Sequence, residues 1–297
     1  MSVPAVQSML VFGASSQIGY CLLPMSCDQG IRTSAVSRAA HDHDDRVRWL
    51  QGSLPDTLRD EFADIEAIAC FAPLDAFATW LQRANLPSLR CVVATSSMSA
   101  ESKRESPVAD ERAIAQRLRD GEQALARACE ARDIAWTVLR PTLIYGVGRD
   151  RSLTPLARRA MRTRVFPLPP GRGLRQPVHA QDVAEAVIAA MRAPQAAGHV
   201  IPIGGGERLD AREMFARVRA SLPHRTLPLR LPRFAVRATM AVPALCGPLS
   251  RLDRDLVADN GELERLLGVR PRGFHPDASA WRSNEPAASR EHANAIA

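Results

Sequence analysis

The sequence predicts an α/β fold: a doubly wound parallel sheet with a small C-terminal α/β lobe. Over the first 140 residues, short β-type runs alternate with helical stretches, as in parallel sheets built from βαβ units. The first run, within "MLVFGASSQIG" (9–19), leads directly into a glycine-containing turn and a helix. Beyond residue 145 the alternation thins and proline-rich segments separate shorter elements, which favours a smaller lobe interleaved with the sheet.

The strands are predicted from short apolar runs and the helices from apolar residues at helical spacing. The predicted strands cover residues 8–12, 32–37, 47–50, 67–71, 90–97 and 135–140. The predicted helices lie near 17–28, 74–84, 110–132, 181–191 and 210–222. Ligands of such sheets bind outside the carboxyl ends of the strands, so the residues that follow each strand are the first candidates for a site.

Composition argues against a nucleic-acid partner despite a net charge of +7. The chain has 297 residues, enough for one large α/β domain with a smaller attachment. Lys103 is its only lysine, and the arginines are scattered among acidic neighbours. Aromatic residues make up only 5%, too few to suggest a surface on which bases stack.

Neither a metal site nor a membrane span is predicted. The six cysteines form no C-x-x-C pair and have no histidine at ligand spacing. No apolar run reaches the roughly 20 residues of a membrane helix, and the N-terminus lacks a signal-type pattern. We therefore expect a cytoplasmic protein.

The turn at 13–19 is predicted to bind the pyrophosphate of a dinucleotide. Gly13 stands where the chain must turn tightly, and Gly19 where helix and strand approach closely. The helix that begins near Gln17 offers N–H groups and the positive end of its dipole to a phosphate. Ser16 replaces the usual middle glycine, but its hydroxyl can donate to a phosphate. The predicted cofactor contacts of the turn are Gly13, Ser15, Ser16, Gln17, Ile18 and Gly19.

Several segments in a fixed order make the chain resemble the extended short-chain dehydrogenase/reductase superfamily, which contains nucleotide-sugar epimerases and dehydratases. They include "VFGASSQIG", "VVATSS", "TVLRPTLIYGVG", "GLRQPVHAQDVAEAV" and "HVIPIGGGERL". The resemblance implies a Rossmann-type dinucleotide-binding domain over 1–145 with parts of 146–205. It also implies a substrate lobe over roughly 146–282, while 283–297 is expected to be a disordered tail.

The end of the second strand favours NADP over NAD. An acidic residue there would bind the ribose hydroxyls of NAD, whereas an arginine would accept the 2′-phosphate of NADP. The sequence has Ser37 and Arg38 at this place. Arg38 is also interpretable as one more surface arginine in an arginine-rich chain, so NAD stays the alternative.

The chain departs from the family at its catalytic pair. The resemblance implies a Tyr-x-x-x-Lys pair on the helix after the fifth strand, with tyrosine as acid/base. The only tyrosines are Tyr20 and Tyr145, and neither is followed by lysine at the fourth position. Aligning "GEQAL" with the glutamate that follows this pair places Ile114 and Leu118 at the two positions. With Leu125 and Cys129 they are predicted to form one apolar stripe.

Three residues remain as catalytic candidates. The resemblance implies Ser97 as the retained active-site serine, with Thr95 and Ser96 nearer the cofactor, although serines after strands also form turns. Lys103 is close in sequence to this loop, and Tyr145 lies in a segment that passes beside the nicotinamide in relatives; a solvated loop lysine and a packing tyrosine are the simpler interpretations. His179 and Asp182 open a helix, where Asp182 is expected to interact with the helix dipole.

On the substrate side, the resemblance implies Arg175 and Arg251 as contacts of a substrate pyrophosphate, since two guanidinium groups can each donate bidentate hydrogen bonds. Pro141, after the sixth strand, is where the backbone of relatives meets the nicotinamide carboxamide, but it is also a simple strand breaker.

Two functions follow. The first is an NADP- or NAD-dependent oxidoreductase or epimerase acting on a nucleotide-sugar or a similar hydroxyl or carbonyl compound. The second is a catalytically silent, dinucleotide-binding sensor or assembly protein. A homodimer formed through the long helices that include 110–132 is a further expectation from the resemblance.

Overall fold

The computed structural model describes residues 6–42, 44–55, 62–168, 171–230 and 253–282. Arg251 and the expected tail 283–297 lie outside these residues. The strands are β1 Ser8–Phe12, β2 Arg32–Ser37, β3 Val47–Gln51, β4 Ala67–Cys70, β5 Cys91–Thr95, β6 Ala135–Pro141, β7 Ile144–Tyr145, β8 Val165–Leu168, β9 Leu174–Arg175, β10 Val178–His179, β11 His199–Ile203, β12 Leu209–Asp210 and β13 Leu227–Arg230. The helices are α1 Gln17–Asp28, α2 Leu74–Arg83, α3 Ser99–Ser102, α4 Ala109–Glu130, α5 Leu153–Thr163, α6 Ala180–Met191, α7 Ala211–Ala220 and α8 Gly261–Leu267.

Seven strands form one parallel sheet in the order β11-β6-β5-β4-β1-β2-β3. This order confirms the predicted doubly wound fold. The chain passes from β1 outward to β3 and then returns to β4 on the other side of β1, so the switch point lies between β1 and β4. The switch point places the turn after β1 at the crevice where such sheets bind ligands.

Helices cover both faces of the sheet, and alternate strand residues supply the two cores. On one face Met9, Val11 and Ala69 pack with residues of α1 and α6. On the other face Leu10 and Phe12 pack with α2 and α4, and Phe12 lies edge-on to Trp80 at a centroid distance of 4.7 Å. The alternation fixes the register of every central strand, because a slip by one residue would exchange the faces.

The C-terminal part of the chain builds a third core beside the carboxyl ends of the strands. Three two-stranded sheets, β7 with β10, β8 with β13 and β9 with β12, combine with α5 and α7. Phe166, Phe274 and Trp281 are fully buried there. This third core positions the loops that face the switch point.

Candidate functional site

The turn after β1 has the geometry of a close-approach site. Gly13 has a φ of +71°, and a Cβ on it would lie 3.0 Å from the main-chain carbon of Phe71. A Cβ on Gly19 would lie 2.2 Å from the carbonyl oxygen of Ala14. Both glycines are therefore required by the turn itself. The main chain of the turn bonds Ser16 N to Gly13 O at 2.9 Å.

Ser16 caps the N-terminus of α1. Its Oγ accepts from Gly19 N at 3.2 Å, which leaves the hydroxyl hydrogen directed elsewhere. No acidic side chain stands in the first turn of α1, so its positive dipole end is not neutralised locally. The Ile18 side chain is buried in the core, and only its main chain can face a ligand. Ser15 is exposed at the top of the turn.

Gln17 carries an unusual buried acceptor. Its Oε1 is buried and has no hydrogen-bond partner within the residues that the structure describes. Leaving a buried amide oxygen unpaired costs about 1–3 kcal/mol. A ligand donor at the turn would satisfy it.

At the end of β2, Ser37 organises the loop that follows. Its Oγ accepts from Ala39 N at 3.2 Å and lies 3.0 Å from His41 Nε2. The His41 ring stacks on Trp49, with centroids 3.7 Å apart and planes 10° apart. Arg38 is exposed beside this loop. Burial, followed by the nearby Arg149 guanidinium, lowers the pKa of His41 below its ordinary value.

The segment after β5 brings its hydroxyls to the carboxyl edge of the sheet. Ser96 N donates to Leu139 O at 2.8 Å, and Met98 N donates to Pro141 O at 3.0 Å, which ties the segment to the end of β6. Ser97 Oγ accepts from Ser99 N at 3.1 Å. The Ser96 hydroxyl is buried and has no partner in the described parts of the chain. Thr95, the last residue of β5, is half-buried.

Helix α4 combines an ion pair to the sheet with two apolar side chains, Ile114 and Leu118, nearer its N-terminus. Arg140 Nε donates to Glu122 Oε1 at 2.9 Å, and Arg140 Nη1 donates to Glu101 Oε1 at 2.7 Å. Because Arg140 stands near the end of β6, Glu122 lies level with the carboxyl edge. With a rise of 1.5 Å per residue, Leu118 and Ile114 lie about 6 Å and about 12 Å beyond it. Both are half-exposed, whereas Leu125 and Cys129 are fully buried lower down.

The remaining catalytic candidates differ in their surroundings. Lys103 follows α3 and is half-buried. Tyr145 is only 2% exposed, and its ring lies edge-on to Phe274 and His179 at centroid distances of 4.7 and 5.2 Å. Burial raises the pKa of Tyr145 to about 12, so its phenol is protonated at neutral pH.

The pair His179 and Asp182 serves the start of α6. His179 Nδ1 accepts from Gln181 N at 3.1 Å and caps the helix. Asp182 stands in the first turn and accepts from Arg272 N and Nε at 3.0 and 2.7 Å. Burial and the Arg272 charge lower the pKa of His179. These contacts account for both residues as helix-start groups.

On the substrate side, Arg175 is buried and donates to main-chain carbonyls. Its Nη1 lies 2.7 Å from Leu174 O and 2.5 Å from Arg254 O. Burial lowers the pKa of Arg175. Arg254 in turn contacts Ser106 Oγ at 3.1 Å and lies 3.7 Å from Glu111 Oε2, one helical turn before Ile114.

Sequence reasoning missed two residues at this site, His41 and Arg149. Arg149 Nη1 donates to Ser15 O at 2.8 Å across 134 residues of chain. Its Cζ lies 5.1 Å from the centroid of the Tyr20 ring. No local pattern predicts a contact at that separation. His41 stands in the charged stretch "HDHDD", which is typical of a solvated turn.

The residues present fit a dinucleotide. The tight turn at 13–19, called the cradle below, excludes a Cβ at both of its glycines, the N-terminus of α1 lies directly behind it, and two buried polar atoms, Gln17 Oε1 and Ser96 Oγ, lack protein partners among the described residues. Over the same residues, no group of three His, Cys, Asp or Glu side chains could hold a metal ion. Among the helices described, none combines the length and apolar composition that a membrane span requires.

Comparison with known families agrees with this geometry. Residues 91–204 match the model of the NAD dependent epimerase/dehydratase family. The match covers β5 through β11 and includes Ser97, Arg140, Tyr145 and Arg175. It confirms the predicted resemblance over that part of the chain. The chain matches none of the curated proteins.

Solved structures share the fold over nearly the whole chain. MoeE5 in complex with UDP-glucuronic acid and NAD is 18% identical, with a TM-score of 0.71, over 92% of this chain and 97% of that one. UDP-N-acetylglucosamine 4-epimerase from Bacillus cereus is 15% identical, with a TM-score of 0.67, over 92% and 93%. UDP-glucose 4-epimerase from Thermotoga maritima, with UDP-glucose, is 16% identical, with a TM-score of 0.69, over 93% and 96%.

Proposed function

We propose that this protein binds a nicotinamide dinucleotide across the turn 13–19 and acts as an epimerase/dehydratase-like oxidoreductase on a nucleotide-sugar or a related hydroxyl or carbonyl compound. The observation that carries the proposal is the cradle itself: Gly13 and Gly19 cannot accept a Cβ, and α1 begins directly behind them. MoeE5 was solved with NAD and a UDP-sugar, which supports the same ligand classes here.

We assign the adenosine end to Ser37 and Arg38, and favour NADP because the residue at the end of β2 is not acidic. The reactive end would lie over Thr95, Ser96 and Pro141, at the carboxyl edge of β5 and β6. When bound, the nicotinamide supplies a hydride donor or acceptor.

The chemistry of this chain's own residues differs from that of the family. In the proposal, Ser97 orients the reacting oxygen by a hydrogen bond. In the reducing direction, Lys103 is the candidate for donating the proton that this oxygen takes up as the hydride arrives, since its ammonium is protonated at neutral pH and the Tyr145 phenol is packed between aromatic rings. Arg175 and Arg251 are the proposed contacts of a substrate diphosphate, Arg175 after exchanging a carbonyl partner for phosphate.

A silent, dinucleotide-binding sensor or assembly protein is the second candidate. The observation that favours it is the half-exposed apolar pair Ile114 and Leu118, which stands beyond the sheet edge where the acid/base would act. In that case the Ser97 hydroxyl serves only as an acceptor for Ser99 N in the turn before α3.

Two measurements separate the candidates. Calorimetric titration with NADPH and NADH tests the cofactor, and binding of neither would overturn both proposals. Turnover is then followed by NMR with UDP-glucose, UDP-N-acetylglucosamine and UDP-glucuronic acid. Turnover that Ser97→Ala lowers supports the enzyme, whereas tight NADPH binding with no conversion of any sugar supports the silent protein.

A further inference from the structure

One residue outside the turn reaches across it. Arg149 belongs to the loop between β7 and α5, yet its Nη1 donates to the carbonyl of Ser15 at 2.8 Å. Its guanidinium carbon lies 5.1 Å from the centre of the Tyr20 ring on α1. The guanidinium therefore stands directly over the turn that follows β1.

The same guanidinium extends toward the end of β2. Its positive charge contributes to the lowered pKa of His41, which bonds to Ser37 at the end of that strand. Strands β1 and β2 are parallel neighbours, so their carboxyl ends lie side by side. Arg149 thus faces the gap between the turn and the β2 loop, where a dinucleotide places its pyrophosphate and adenosine ribose.

The main chain that carries Arg149 is held in place. Gly148 N donates to Ala280 O at 2.8 Å, and Gly148 O accepts from Arg158 Nη2 at 2.7 Å. On the other side, Asp150 Oδ1 accepts from the main-chain N–H groups of Ser152 and Leu153 at 2.9 and 2.6 Å. These bonds anchor both neighbours of Arg149, so its position over the turn is set by the fold.

We infer that Arg149 binds a phosphate group of the dinucleotide, closing the cofactor groove from the substrate-lobe side. This inference rests on the proposed cofactor site. A guanidinium is a planar fork of five N–H donors, which suits it to bridging a main-chain carbonyl and a phosphate. Together with the N-terminus of α1 and Arg38, it would surround the phosphates from three directions.

The test compares Arg149→Gln with Arg151→Gln, which removes an exposed positive charge only two residues away. Fluorescence titrations with NADPH and NADH give the dissociation constants, and circular dichroism with a thermal melt checks that each variant is folded. We expect Arg149→Gln to weaken binding about tenfold or more, as loss of a charge-assisted contact implies, and Arg151→Gln to change it less than about twofold.

The two cofactors distinguish the phosphates. Weakening of NADPH and NADH alike places Arg149 on the pyrophosphate, whereas weakening of NADPH alone places it on the 2′-phosphate; both support the inference. Unchanged or tighter binding by folded Arg149→Gln would overturn it while the cofactor site stands. Absence of binding by the wild-type protein would instead refute the proposed function on which the inference rests.

Discussion

The turn after β1 and the part of α4 that carries Ile114 and Leu118 differ in character. The turn has the geometry of a binding site, whereas this part of α4 offers no acid or base at those two positions. At the turn, Gly13 and Gly19 have no room for a Cβ, and the neighbouring Gln17 Oε1 is buried without a partner among the described residues. On α4, Glu122 and its partner Arg140 tie the helix to the sheet, while Ile114 and Leu118, which the sequence resemblance aligns with a proton-transfer pair, are apolar. We therefore expect cofactor binding and acid/base chemistry to be separable, because different segments of the sequence specify them.

The largest expected effect comes from filling the cradle. A Cβ at Gly19 would meet the Ala14 carbonyl at 2.2 Å, so Gly19→Ala must displace the turn from α1. We expect NADPH affinity to fall about 100-fold, because binding requires the undistorted turn and restoring it costs up to about 3 kcal/mol of overpacking. A cost of about 1.4 kcal/mol is a factor of ten in affinity. Fluorescence titration measures the affinity.

Gly30→Ala is the matched control. Gly30 has a φ of +73°, but a Cβ there meets nothing within 4 Å. We expect it to destabilise the fold by about 1 kcal/mol through strain alone and to leave NADPH affinity unchanged. Equal losses of affinity in Gly19→Ala and Gly30→Ala would show that the cradle has no special role.

Introducing a tyrosine and a lysine on α4 tests the other region. In the double variant Ile114→Tyr and Leu118→Lys, the two polar groups share one helical face beyond the sheet edge. We expect conversion of UDP-glucose or UDP-N-acetylglucosamine, followed by NMR, to rise about 100-fold over wild type, the lower end of acid/base contributions.

The control for that gain is the double variant Ile114→Phe and Leu118→Met, which stays apolar and supplies no acid/base. It should show wild-type turnover and wild-type NADPH affinity. If the tyrosine and lysine bring no gain while NADPH still binds, the loss of the pair is not what limits proton transfer.

Breaking the ion pair between Glu122 and Arg140 should affect stability. Glu122 is 6% exposed and bonds Arg140 through both carboxylate oxygens. We expect Glu122→Gln to lower the free energy of unfolding by about 2–3 kcal/mol, somewhat less than for a fully buried pair. Glu101→Gln removes the more exposed partner of the same arginine, and should cost under about 1 kcal/mol in chemical denaturation. A reversed order would contradict the proposed anchoring role.

The smallest effect concerns pH. Burial and Arg272 hold the pKa of His179 below its unfolded value, so the unfolded chain takes up a proton first as the pH falls. The stabilisation that comes from keeping His179 neutral is fully present above about pH 6.5 and is lost as the pH falls through the folded pKa. His179→Asn keeps an acceptor for Gln181 N and should reduce the loss between pH 7.5 and 5.5 by about 1 kcal/mol. The free energy of unfolding is measured by urea denaturation at both pH values. If His179→Asn loses as much stability as the wild-type protein, a different group is responsible for the pH dependence.

The sequence predicts those elements whose bounds are set by short stretches of the chain itself. Strands β1 and β2 begin and end at the predicted residues because their apolar runs are short and clearly bounded. The sequence does not predict strand β11, in which Pro202 interrupts the apolar pattern. The sheet tolerates this proline because β11 is an edge strand. The contact of Arg149 with Ser15 cannot be predicted from local patterns, because the two loops are 134 residues apart in sequence and meet only in the folded chain.

The central claim, that cofactor binding survives without the family's acid/base pair, is tested most directly by titrating NADPH into the wild-type protein and into the double variant Ile114→Tyr and Leu118→Lys. The cradle predicts saturable binding of one NADPH per chain in the micromolar range by both proteins, with dissociation constants that differ by less than about threefold, or roughly 0.6 kcal/mol. Binding by the double variant alone would show that the pair holds the cofactor, and absence of binding by both would contradict the claim.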